Sequence, residues 1–156
     1  MRGLKSHRNF VNSLAMVCYL CYNTNMKSFR SLSHCKFSCK YHVIWCPKYR
    51  RKVLVGNVAQ RLKELLEEKT KKLGVEILES EIMPDHVHLL LDTKPTEAIG
   101  TVIGRLKGYT SKYLRAEFPE LKRRLPTLWT NSYFASTVGG VTLSVLKKYI
   151  EGQKNK

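Results

Sequence analysis

A chain of 156 residues, 43% of them apolar, has room for one packed domain but not comfortably for two. Its formal charge of +16, from 28 Lys and Arg against 12 Asp and Glu, exceeds what a fold requires and points to a polyanionic partner. The apolar run from Phe10 to Tyr22 is too short to span a bilayer, and neither basic cluster, Lys48 to Lys52 or Lys122 to Arg124, has a membrane-surface amphipathic pattern, so nucleic acid is favoured and no membrane partner is expected.

Residues 1–30 are basic and carry no acidic residue. A basic start followed by an apolar run suggests a signal peptide, but no small-residue cleavage site follows, and a natural start at Met26 accounts for the segment better. We expect a disordered or loosely attached extension here, with 31–156 forming the functional domain. Five cysteines, Cys18, Cys21, Cys35, Cys39 and Cys46, are an odd number for a disulfide framework and fit a reducing cytoplasm. A zinc site from Cys18, Cys21, Cys35 and Cys39 is disfavoured, because the first pair lies in an apolar run without the turn residues of a zinc knuckle.

Phe37 to Trp45 alternates, with Cys39, Tyr41, Val43 and Trp45 on one face, and predicts the first strand. Asn57 is placed to cap a helix to about Leu73, with a stripe of Val58, Leu62, Leu65 and Leu66 and Gly74 as its C-terminal cap. Val75 to Met83 predicts a second strand, and Pro84-Asp85 turns it into a third that begins at His86, an antiparallel hairpin. Thr96 to about Glu117 predicts a second helix, followed by a basic, proline-containing loop. Trp129 to Val138 reads as a fourth strand, and Gly139-Gly140 separates it from a last helix, Thr142 to Gln153. The order βαββαβ plus a C-terminal helix predicts an α+β fold, a ferredoxin-like antiparallel sheet with helices on one face.

Within the third strand, His86 and His88 alternate with Val87 and Leu89, so both imidazoles point to one face. Such a pair is pre-aimed at a divalent ion, although a strand whose polar face merely carries histidine has the same pattern. On the last helix Tyr149 and Gln153 share a face with Leu146 and Ile150. A tyrosine at that spacing is more often core than catalyst, but Gln153 puts a carboxamide where an apolar stripe would continue.

Taken in order, four segments resemble one family. They are Ser33 to Lys52, Pro84-Asp85-His86-Val87-His88, Leu128 to Phe134 with Thr137-Val138-Gly139-Gly140, and Tyr149-Ile150-Glu151-Gly152-Gln153. Together they resemble the single-tyrosine HUH transposases of simple insertion sequences, the IS200-like transposases, over about residues 31–153. The resemblance implies that His86, His88 and Gln153 hold a divalent metal, Mg²⁺ or Mn²⁺, and that Tyr149 is the nucleophile. It implies cleavage and rejoining of single-stranded DNA through a 5′-phosphotyrosine linkage, recognition of DNA hairpins, and a homodimer whose active sites are shared in trans. Lys48, Arg50, Arg51, Lys52, Arg105, Lys107 and Lys112 are then candidate phosphate contacts, and Trp129 or Tyr133 candidate base-stacking residues. Asp85 is either a turn former or a residue orienting a ligand histidine. Two rival readings keep parts of this pattern: a non-catalytic single-stranded DNA or RNA binding module, and a related HUH nickase that does not mobilise DNA.

Overall fold

A computed structural model describes residues 29–138. The expectations for residues 1–28, the Gly139-Gly140 break, the last helix, Tyr149 and Gln153 lie outside the described residues.

A short antiparallel hairpin of β1 (Arg30–Leu32) and β2 (Cys35–Phe37) precedes the main sheet. The sheet holds β3 (Cys39–Trp45), β4 (Glu76–Met83), β5 (His86–Thr93) and β6 (Phe134–Thr137) in the order β4-β5-β3-β6, every neighbour antiparallel. Helices α1 (Gly56–Leu73) and α2 (Ile99–Glu117) connect β3 to β4 and β5 to β6, and a short α3 (Pro119–Arg124) follows α2. This is the predicted α+β, ferredoxin-like arrangement.

The alternation in β3 and β5 decides which side the helices cover. Val43 and Trp45 from β3 and Val87, Leu89 and Leu91 from β5 are fully buried against Leu62, Leu65 and Leu66 of α1 and Val102, Ile103 and Leu106 of α2. Burying each such side chain stabilises the fold by about 1.5–3 kcal/mol. Arg61 of α1 and Glu117 of α2 add a bidentate ion pair at 2.7 and 3.0 Å between the helices. The opposite face of the sheet carries Lys40, His42 and Ile44 on β3 and His86, His88, Leu90 and Asp92 on β5.

Three local expectations differ from the structure. Helix α1 starts two residues early, at Gly56 with Val55 in the cap position and no side-chain cap, so Asn57 lies inside the helix. Gly74 ends it as predicted, at φ 67°. The basic loop after α2 contains α3, in which Pro119 occupies the first turn, where a missing N–H costs nothing, and Leu121 is buried. The fourth strand is shorter than predicted because Trp129 leaves the strand path: it pairs only as an isolated bridge with Pro47 and is drawn into the core.

Candidate metal and nucleic-acid site

The turn Pro84-Asp85 has only two residues between the paired Met83 and His86, which puts Asp85 directly before β5. Asp85 Oδ1 lies 2.7 Å from His86 Nδ1, and Arg50 Nε donates to Asp85 Oδ2 at 3.0 Å. Partial burial would push the Asp85 carboxyl up, but the hydrogen bonds from His86 and Arg50 outweigh it and hold the group below the usual carboxylate range. Asp85 therefore acts as an ionised acceptor for the Nδ1 proton of His86. That fixes the tautomer and leaves Nε2 of His86 as the acceptor nitrogen.

His88 has a different partner, which sequence reasoning did not single out. His42 Nδ1 and His88 Nε2 are 3.1 Å apart, and both side chains are buried. The ring centroids are 5.4 Å apart with planes inclined by 17°, so the rings meet nitrogen to nitrogen, nearly in one plane, and do not overlap. This is the geometry of a single N–H···N hydrogen bond, and it leaves Nδ1 of His88 uncommitted. Burial lowers the pKa of both histidines, and the neighbouring His42 charge lowers that of His88 further, so the pair is neutral at pH 7. His42 was legible as a polar residue alternating with Tyr41 and Val43. Its pairing depends on the register of β3 against β5, which a single strand does not reveal.

Each candidate thus has one ring nitrogen held, by Asp85 or by His42, and the other left over. That donor chemistry fits a divalent ion needing two nitrogen ligands and further oxygen ligands. Among the described residues no cluster of three or more His, Cys, Asp or Glu converges on one point. Gln153, the third expected ligand, is outside them.

The basic cluster follows β3 as a tight turn, Lys48–Arg50. Tyr49 and Arg50 have φ of 60° and 52°, the left-handed region, although neither is glycine. Each such residue costs about 1–2 kcal/mol and persists only where its surroundings enforce it. Here Lys48 N–H donates to the Leu128 carbonyl at 2.8 Å, Arg50 N–H donates to the Pro47 carbonyl at 2.9 Å, and Arg50 is anchored on Asp85. Arg50, Arg51 and Lys52 are exposed, and Lys48 is half-buried.

The remaining candidates separate. On α2, Arg105 and Lys112 are seven residues apart and share one exposed face, with Arg105 3.7 Å from Glu97. Lys107 points elsewhere: its ammonium donates to the carbonyls of Thr130, Asn131 and Ser132 at 2.7, 3.2 and 3.2 Å, so its three donors brace the 127–133 loop. Burial lowers its pKa. Trp129 is only 5% exposed, edge-on to Trp45 at 6.0 Å, and its indole N–H donates to Thr110 Oγ1 at 3.0 Å. As a base-stacking candidate it is corrected: its ring is core, and an apolar ring of this size gains more from burial than from solvent. Tyr133 is 46% exposed and lies over Gly100, where a Cβ would come within 2.9 Å of its hydroxyl. It borders an open groove of about 430 Å³ between α2 and the loop.

No helix among the described residues is long and apolar enough to cross a membrane.

Comparison with known proteins gives this geometry a context. Residues 35–153 match the family model described as "Transposase IS200 like". The chain is 43% identical over 122 residues to the ISDra2 transposase TnpA of Deinococcus radiodurans, an alignment covering 77% of this chain and 87% of that protein. It is 35% identical over 126 residues to the transposase for insertion sequence element IS200 of Salmonella typhimurium, covering 80% and 82%. A crystal structure of a Deinococcus radiodurans protein assigned as a transposase superposes with a TM-score of 0.67 at 36% identity, covering 80% of this chain and 97% of that one. A REP-associated tyrosine transposase bound to a REP hairpin shares the fold alone, with a TM-score of 0.52 at 13% identity over 81% and 68% of the two chains.

Proposed function

Because the chain belongs to the IS200-like transposase family, DNA-cleaving and strand-transferring enzymes, we propose that it cuts and rejoins single-stranded DNA at insertion-sequence ends through a covalent tyrosine intermediate. The observation that carries this reading is the His86 and His88 pair, each ring with one nitrogen held by Asp85 or His42, on the strand next to the Arg50 turn.

In this reading the basic turn and the Arg105 and Lys112 face of α2 hold the phosphodiester backbone, Lys107 keeps the 127–133 loop in place, and Tyr133 offers a ring to an unpaired base. The phenolic oxygen of Tyr149 attacks the scissile phosphorus, the bond from phosphorus to the 3′ oxygen breaks, and that oxygen leaves with a proton as a 3′-hydroxyl. The product is a 5′-phosphotyrosine. One phosphodiester replaces another, so attack by a different 3′-hydroxyl reverses the step and joins strands without ATP. His86, His88 and Gln153 would hold the divalent ion, Mg²⁺ or Mn²⁺, which when bound supplies charge stabilisation at the phosphoryl oxygens. Asp85 and His42 keep the two imidazoles oriented.

The shared fold with a protein bound to a REP hairpin supports hairpin recognition at the element ends. We further propose a homodimer in which the Tyr149 helix of one subunit completes the His86 and His88 site of the other, with Gly139-Gly140 as the hinge.

A labelled element-end strand incubated with the protein and Mg²⁺ is expected to give a covalent protein–DNA adduct and a free 3′-hydroxyl fragment, both abolished by EDTA. Tyr149→Phe is expected to abolish the adduct while keeping DNA binding, because only the phenolic oxygen is lost. An adduct that persists in this variant overturns the assignment of Tyr149, and cleavage undiminished by EDTA overturns the metal role.

A further inference from the structure

Tyr49 is the most exposed large apolar side chain among the described residues, at 67% of its full accessibility. Its backbone is left-handed, as is that of Arg50 after it. A turn with this conformation is made without strain by glycine, so two consecutive side chains in it represent strain retained for something the side chains do. Arg50 has a visible use, the Asp85 ion pair. Tyr49 contributes nothing to the core, since its ring stands in solvent with the Lys48 ammonium 5.4 Å from its centroid.

Its surroundings define what such a ring meets. Lys48, Arg50, Arg51 and Lys52 flank it in the chain, and the turn is fastened to β5 by Arg50 on Asp85 and, through Asp85, to His86. A flat, exposed aromatic ring among cations, rigidly attached beside a candidate metal ligand, combines the two elements of a single-strand contact: a cationic track for phosphates and a stacking surface for a base. Resting on the single-strand reading above, we infer that Tyr49 stacks on one unpaired base next to the phosphates held by the basic turn, and that the left-handed backbone holds the ring out for that base.

Anisotropy titration of a fluorescein-labelled, element-end single strand against the full chain, with a series of oligonucleotides carrying one abasic position each, tests this inference. Tyr49→Ala is expected to weaken binding about 10-fold, while Tyr49→Phe and Tyr49→Trp bind like the wild type. One abasic position should weaken wild-type binding by a similar factor and leave Tyr49→Ala unaffected, since ring and base lose the same contact. Tyr49→Gly is expected to bind like Tyr49→Ala yet melt no lower than the wild type, because glycine adopts the turn freely. Undiminished binding by Tyr49→Ala, or losses from the variant and every abasic position that simply add, overturns the stacking role and leaves the single-strand reading intact. The stacking role is also overturned if Tyr49→Ala loses binding only by losing its oligomeric state in sedimentation. Wild-type protein that does not bind the strand overturns both readings.

Discussion

Asp85 accepts from His86 and Arg50 at once, and its charge is what makes it a firm acceptor for the imidazole proton. Asp85→Asn keeps the shape and removes the charge, so His86 can turn its ring or change tautomer. Metal affinity is expected to fall about 10- to 100-fold in a calorimetric titration with Mn²⁺. Unchanged affinity would reduce Asp85 to a turn former. The His42 and His88 pair has a separate signature. Both fold with pKa values below the ordinary histidine value, so the unfolded chain binds their protons more readily. The stability they contribute is complete above about pH 6.5 and is lost as pH falls through their folded-state values. The melting temperature is therefore expected to drop on acidification from about pH 7 to 5, and His42→Gln to flatten that slope. A wild-type melting temperature unchanged over that range would contradict a neutral buried pair.

The turn after β3 is where element geometry and charge meet. Replacing Arg50 and Arg51 with Glu is expected to weaken single-strand binding and to reduce the slope of affinity against salt concentration by about one unit or more for the lost phosphate contacts. The same slope in the variant would make these arginines ordinary surface charge. The strands β3 and β5 and the helices α1 and α2 were legible because burial imposes a period of two or of about 3.6 on their apolar residues, as in Val87, Leu89 and Leu91 or Leu62, Leu65 and Leu66. The hairpin of β1 and β2 was not, because three-residue strands are too short to show a period. Helix α3 was hidden by Lys122, Arg123 and Arg124, which leave Leu121 as its one buried residue. Trp129 was misplaced for a related reason: an aromatic residue at the start of an alternating run reads as strand, whereas its burial depends on Trp45 and Thr110, both distant in sequence. Of the candidate site, the histidine pair and the basic turn could be found in the residues. The partners that hold them, His42 and Asp85, became specific only through strand register and turn length.

At the scale of the whole molecule, the proposed exchange of tyrosine helices makes the active site a property of two chains. Mixing Tyr149→Phe protein with His86→Ala protein, each inactive alone, under conditions that allow subunits to exchange, is expected to restore strand cleavage. In a trans arrangement the heterodimer keeps one intact site of two, and since random mixing of equal amounts makes half of the dimers heterodimers, about one quarter of wild-type activity is the recovery expected. Demonstrated heterodimers that recover no cleavage would place Tyr149 in the same subunit as its histidines.

The two-residue link between β4 and β5 has a consequence for the order in which the protein acquires its site. Closing that hairpin joins neighbours in the chain, a microsecond event, whereas pairing β3 with β5 joins Trp45 to Val87, and pairing β6 with β3 joins Phe134 to Ile44. Asp85, His86 and His88 are therefore carried on one early-forming unit. His42 and Arg50, which hold those groups in place, arrive only when the long loops close. The folding chain thus has His86 already held by Asp85 while His88 still lacks His42, so the two imidazoles are fixed at different stages of folding.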